Sequence, residues 1–240
     1  MWAGAGRCQA PGGNTPRPRW FADEATVKGA MDGRCRLSRR ALIGAGLALA
    51  AAPAGAVRSG GGLAAAAPEV NRVLLARALD ALARHDHALW SRDVVGIVDF
   101  GLPSAHPRFH LVDILAGTTT TLLGAHGKGS DPQHTGMLQR FSNVEGSMAS
   151  SEGAYLIGDA YDGKHGPSRR LIGLDPTCDQ AEPRAIVIHS AWYVGPEIVA
   201  QQGRLGRSDG CFAVSGGDIA MVLARLGRGR LLYAGRADTA

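Results

Sequence analysis

The bulk of this sequence lacks a net charge. The chain carries a formal charge of +5, but residues 1–56 hold 8 Lys/Arg against 3 Asp/Glu, whereas residues 57–240 hold 18 of each. The basic excess therefore sits in the N-terminal segment, which argues against a nucleic-acid partner for the rest of the chain. Also missing is an apolar run of about 20 residues, the length of a membrane-spanning helix. Cysteine is scarce, with 4 residues in 240, so a disulfide scaffold is not what holds the chain; at this length a hydrophobic core suffices. No internal repeat is present. What is abundant is glycine, 34 residues, which favours strands, turns and loops over a helical bundle.

The N-terminal segment reads as a targeting signal. Residues 34–40 are Arg-Cys-Arg-Leu-Ser-Arg-Arg, residues 41–52 are uncharged and Ala-rich, and Ala54-Gly55-Ala56 is a small-residue exit. The run Ser38-Arg39-Arg40-Ala41-Leu42 resembles a twin-arginine export signal, with Leu42 where Phe is common and Gly44 where Lys is common. It implies the twin-arginine export machinery as a partner and the periplasm or cell-wall space as destination. Residues 1–30, rich in Gly, Pro and Arg, fit no part of such a signal. Translation is expected to start at Met31, with residues 1–30 an extraneous or disordered extension, 31–56 the signal, 57–68 a linker and 69–240 the folded domain. Removal of the signal takes Cys8 and Cys35 with it and leaves Cys178 and Cys211. In an oxidising compartment that pair suits either a disulfide or a reactive thiol.

From Glu69 to Trp90, apolar residues at Val70, Val73, Leu74, Leu75, Leu79 and Leu82 follow helical spacing. Pro68 and Glu69 suit the helix start, and His85 and His87 read as solvated residues near its end. Short β-type runs follow at Val94–Phe100, Arg108–Ile114, Thr118–Leu123, Gly153–Ile157, Arg170–Leu174 and Ala185–His189. A helix-compatible run, Gly217–Leu226, and a last strand, Leu231–Ala234, end the pattern. The fold class expected is mainly β (α+β), with a few helices and one N-terminal helix.

The chemistry concentrates near the C-terminal end. The apolar strand Ala185-Ile186-Val187-Ile188 ends in His189, where an imidazole is presented at a rim, as a general base requires. Cys211 follows 22 positions later in Gly206-Arg207-Ser208-Asp209-Gly210-Cys211-Phe212. Gly210 permits a close backbone approach. N–H groups around Gly210 and Cys211 are expected to be free for an oxyanion, and Arg207 with an imidazole is expected to favour the thiolate. On spacing alone, Cys211 before Phe-Ala-Val also suits a small buried hydrophobe, and His189 a hydrogen-bonded strand end.

The segment resembles the YkuD-type L,D-transpeptidases, in the branch of murein L,D-transpeptidase catalytic domains: a strand histidine, His189, an 18-residue spacer, then Ser208-Asp209-Gly210-Cys211. Similar stretches are Ala125–Ser130, Phe141-Ser142-Asn143, Gly146-Ser147, Ser150-Ser151 and Gly153-Ala154-Tyr155. Asp209 stands where most such domains have His, and Ser190 where Gly is expected in this branch. The resemblance implies a YkuD-like β-sandwich or barrel, Cys211 as nucleophile with His189 as base, and Gly210, Asp209 and Ser208 as the oxyanion turn. It implies peptidoglycan stem peptides as substrate and no cofactor. His126, Ser130, Ser190, Tyr193 and Arg207 are the expected substrate-binding residues.

Rival readings differ in chemistry. An L,D-carboxypeptidase would use water as acceptor. Papain-like peptidases place Cys before His in the chain, the reverse of the order here. A zinc peptidase would use His126 and His134 with Asp131, but their spacing matches no His-Glu-x-x-His helix. A catalytically inactive wall-binding module is the non-enzymatic alternative.

Overall fold

A computed structural model describes residues 67–238. The signal, the expected start at Met31 and the linker up to residue 66 lie outside the described residues. Among the described residues no helix is long and apolar enough to cross a membrane.

Helix α1 (Arg72–Arg84) starts three residues later than the sequence suggests, because the Asn71 side chain accepts the Val73 N–H at 2.9 Å. It stops at His85, well before Trp90. His85 is no solvated cap: its Nε2 meets Asp175 Oδ1 at 2.9 Å. The buried face of α1, Leu74, Leu75, Ala78, Ala81 and Leu82, packs with Val95, Ile97, Val112, Leu231 and Tyr233.

Eight strands follow: β1 (Val94–Asp99), β2 (Phe109–Asp113), β3 (Thr118–Leu122), β4 (Gly153–Gly163), β5 (Gly166–Gly173), β6 (Val187–Ser190), β7 (Phe212–Val214) and β8 (Leu231–Gly235). They form one mixed sheet in the order β3-β2-β1-β8-β4-β5-β6-β7. β1/β8 and β6/β7 are parallel; the other pairs are antiparallel. The sheet curls until its edges meet: Ala125, just beyond β3, donates its N–H to Ala213 O in β7 at 2.9 Å. The result is a near-barrel, mainly β with a few helices, as the sequence pattern predicts.

β1 is buried along its whole length, so its apolar run does not alternate. Val95 and Ile97 face α1, while Val94 and Val98 join Phe109, Leu111, Tyr155, Ile157, Leu171, Ile188 and Phe212 in the interior. Helix α3 (Ile219–Arg225) adds Ile219 and Val222 to that interior. Between β6 and β7 lies helix α2 (Pro196–Gln202), opened by proline in its first turn and closed by Gly203 at φ +68°. This crossover sets β6 and β7 parallel, with Ile188 beside Phe212 and His189 beside Ala213. Cys211, the residue before β7, thus lies diagonally across the strand pair from His189.

Candidate active site

Two elements carry the reactive groups. β6 presents His189, 2 % exposed. Its Nδ1 lies 2.8 Å from the Ser190 carbonyl oxygen. A carbonyl only accepts, so Nδ1 carries the proton and Nε2 is left with its lone pair. The Ser208–Cys211 turn presents the thiol, which donates to Ala185 O with S···O 3.7 Å. Ala185 holds φ +52°, a left-handed conformation rare for a residue with a Cβ.

The turn beneath Cys211 is fixed by backbone contacts. Gly210 has φ +110°, and a Cβ on it would stand 2.8 Å from Ala149 O and 3.1 Å from Arg184 Nη2. Ser208 Oγ donates to Cys211 O at 2.7 Å and accepts the Gly210 N–H at 3.2 Å. The Gly210 N–H, expected to be free for an oxyanion, is therefore already engaged. Ser208 N–H donates to His126 O at 2.9 Å, and Lys128 N–H donates to Ser208 O at 2.8 Å. These bonds tie the turn to the segment that closes the barrel.

Cys211 and His189 line one cleft of about 440 Å³. Lys128, Arg184, Tyr193 and Asp209 line it too, as do Tyr161, Lys164 and His165 of the β4–β5 hairpin. Burial pushes the Cys211 thiol up; the Val187 N–H opposes this, Asp209 adds to it, and Lys164 and Arg184 offset it. Arg207 has no part in that balance. It lines the cleft as expected of a substrate-side residue, but its Nη1 donates to the carbonyls of Asp131 and Pro132, and the groups that act on the thiol are Asp209, Lys164 and Arg184 instead. Burial pushes the His189 imidazole down; the Ser190 carbonyl opposes, and His165 and Lys164 lower it further. Both shifts favour the neutral thiol and neutral imidazole over an ion pair in the free site.

The remaining expected residues fall in different places. Tyr193 lines the cleft, its hydroxyl pushed up to about 12 chiefly by burial. Asp209 is exposed and pairs with Lys128 Nζ at 3.0 Å. Ser190 contributes its carbonyl to His189, and its Oγ donates to His165 O at 3.3 Å. His126 and Ser130 do not reach the cleft: they are 1 % and 0 % exposed. Arg108 Nη2 donates to His126 Nδ1 at 2.7 Å, so His126 turns its Nε2–H toward Asp131 Oδ2 at 3.4 Å. Ser130 Oγ accepts the Ser150 N–H at 2.9 Å. Their expected substrate-binding role is replaced by a buried polar layer beneath the nucleophile turn. His134 is likewise engaged, its Nε2–H donating to Leu205 O at 2.9 Å.

Cys178 is buried and Cys211 partly exposed, and both are free thiols. Cys178 donates its S–H to Ala154 O at 3.1 Å, and burial pushes its thiol up to about 11. No disulfide joins the two.

Sequence reasoning missed Tyr161, Lys164, His165 and Arg184. The hairpin beyond Ile157 is mostly exposed and has no apolar alternation to mark it as strand. Arg184 stands just ahead of the His189 strand and donates to the carbonyls of Ser142 and Ala149.

No match was found among curated proteins. Among solved structures the chain is similar to an L,D-transpeptidase from Mycobacterium smegmatis, at 15% identity and TM-score 0.37, covering 60% of this chain and 58% of that one. It is also similar to L,D-transpeptidase 3 from Mycobacterium tuberculosis, at 13% identity and TM-score 0.39, covering 60% and 61%. The chain thus spans less than two thirds of the length of either protein. The family model for the L,D-transpeptidase catalytic domain matches residues 66–234. That match takes in both strands of the cleft, the nucleophile turn and the β4–β5 hairpin, and the chain belongs to the L,D-transpeptidase catalytic domain family.

Proposed function

We propose that this chain is an exported cysteine acyltransferase that acts on peptidoglycan stem peptides through a thioester on Cys211. The observation that carries the reading is the pairing of a thiol and a neutral imidazole in one cleft, on diagonal positions of parallel β6 and β7, with the His189 tautomer set by the Ser190 carbonyl. Export rests on the sequence of residues 31–56, and family membership supports the substrate class.

The chemistry follows from the protonation states. Neither group is charged at rest, so His189 Nε2 takes the thiol proton as Sγ attacks the amide carbon after the third residue of a tetrapeptide stem. The Val187 N–H and the cations of Lys164 and Arg184 support the negative sulfur. With the Gly210 N–H held by Ser208, the Cys211 N–H is the donor at the turn for the oxyanion. The tetrahedral intermediate collapses as the C–N bond breaks, and the His189 imidazolium returns its proton to the leaving D-alanine amine. A thioester remains. An acceptor amine then attacks it, passes its proton to His189, and releases Cys211 as the thiol with a new amide formed.

Intact-mass spectrometry with a tetrapeptide stem donor tests this. The wild-type chain is expected to gain the mass of the acyl tripeptide; Cys211→Ala is expected to gain none, and Cys178→Ala to behave as wild type. Adduct on the Cys211→Ala variant sinks the assignment. Released tripeptide without cross-linked product makes water the acceptor, and no adduct on any variant makes the chain a binding module.

A further inference from the structure

Lys164 and His165 join β4 to β5, and this turn reaches the catalytic strand. The His165 ring lies against the His189 ring, with centroids 4.2 Å apart and planes inclined by 23°. The turn is also tied down at the same point, since Ser190 Oγ donates to the His165 carbonyl. His165 is itself exposed, whereas His189 beneath it is 2 % exposed. Taking His189 as the base for Cys211, we propose that His165 is a positioning residue: its ring lies on the face of His189 so that Nδ1 stays on the Ser190 carbonyl and Nε2 stays available to the thiol.

The need for such a residue is physical. One hydrogen bond from Nδ1 fixes a direction but leaves the ring free to rock, because the imidazole torsion is broad. A flat ring against its face removes that motion and keeps water from the Nδ1–H···O bond. Stacking also couples the charges. Two imidazolium rings in contact repel, so a proton on His165 disfavours one on His189. The titratable and charged groups that share the cleft with His189 are Tyr161, Lys164 and His165 from the hairpin, Lys128 from the segment that closes the barrel, Arg207, Asp209 and Cys211 at the nucleophile turn, and Arg184 and Tyr193 on the walls. Among them His165 and Lys164 act against protonation and Asp209 favours it, while burial remains the largest influence. Removing His165 lifts both its own charge and part of the burial, so the two changes act in one direction.

The test follows His189 directly, by NMR titration of its imidazole in the full chain as wild type, His165→Ala and His165→Phe, alongside kcat and KM for a tetrapeptide stem donor. In His165→Ala the His189 midpoint is expected to rise by about half a unit or more and the Nδ1–H signal to broaden. kcat should fall about tenfold with KM held within about twofold. His165→Phe keeps a flat ring and is expected to restore the Nδ1–H signal and bring kcat within about threefold of wild type. An unchanged His189 titration and tautomer in His165→Ala overturns the proposal whatever the activity. A rise in KM at constant kcat also overturns it, making His165 a substrate contact. If His189→Ala keeps full turnover, the base assignment falls instead, while the titration still decides whether His165 orients the ring.

Discussion

His126 and His189 sit on either side of the nucleophile turn, and burial lowers both imidazoles below their ordinary range. They differ in what their nitrogens meet. His126 accepts from Arg108 on Nδ1 and turns Nε2–H to Asp131, so both nitrogens are occupied. His189 donates from Nδ1 to Ser190 and has no hydrogen-bond partner on Nε2 among the described residues. The tautomers are opposite, and only one leaves a lone pair facing a cleft. A lowered imidazole is thus a poor guide to function by itself; the nitrogen left unoccupied is the better one.

Alanine at each histidine should separate the two regions most sharply. His189→Ala is expected to lower turnover by about 10²–10⁴-fold and to change stability by less than about 2 kcal/mol. His126→Ala is expected to act the other way round in size. It leaves a guanidinium nitrogen of Arg108, a residue 0 % exposed, without its acceptor and takes a donor from buried Asp131. The expected loss is about 2–4 kcal/mol, the range for uncovering buried polar groups. Urea unfolding read beside donor turnover checks both. A His126→Ala variant of normal stability but no activity would return His126 to the catalytic site.

Acid should probe His126 together with a second buried imidazole, His110 of β2, whose Nδ1 lies 3.0 Å from Thr121 Oγ1. Burial lowers both His126 and His110 from 6.5 to about 4. Between about 4 and 6.5 the unfolded chain binds protons at these sites and the folded chain does not, so stability rises with pH across that window. The contribution is fully present above 6.5 and is lost as pH falls toward 4, up to about 3 kcal/mol for each imidazole. Asp131 acts lower down: although burial raises it, hydrogen bonds from Thr135, Gly136 and His126 hold it below its ordinary value. Its contribution goes only as pH falls through that depressed value. Denaturant midpoints at pH 7.5, 6 and 5 should therefore descend in that order; equal midpoints would mean that neither imidazole is kept neutral by the fold.

Much of this architecture is legible in the sequence because its core strands are apolar runs between turn residues. β1, β2, β3 and β8 lie within one or two residues of their expected ends. The outer part of the β4–β5 hairpin left no such trace: beyond Gly158 its residues are mostly exposed, and a register shift between Ile157 and Ala160 breaks the alternation. Its tip, Lys164-His165, which lines the cleft, was hidden for the same reason. Cys211 and His189 stood out through the family resemblance rather than through spacing, because a cysteine before Phe-Ala-Val and a histidine at a strand end each have ordinary structural uses; the structure sets both on one cleft. His126 and Ser130 misled because a cluster of polar residues among glycines looks like an exposed loop. Only three-dimensional packing reveals Arg108, 18 positions earlier in the chain, as the partner of His126.

The smallest expected effect concerns Asp209, which the sequence marks as a departure from the family pattern. Its carboxylate is exposed and paired with Lys128, yet it still pushes the Cys211 thiol up. Asp209→Asn removes that push and frees the Lys128 ammonium at the cleft rim, so both consequences lower the thiol. Alkylation of Cys211 by iodoacetamide, followed against pH, should shift to lower pH, with a rate gain of about two- to threefold below the midpoint. The gain should shrink in high salt, because an exposed charge is screened there. Stability should stay within about 1 kcal/mol, as for exposed ion pairs generally. Lys128→Ala should move the thiol the opposite way, since the Asp209 charge then acts without a counterion. If both variants alkylate like wild type, the rim charges do not reach the sulfur, and its reactivity belongs to burial, the Val187 N–H and the more interior cation of Arg184.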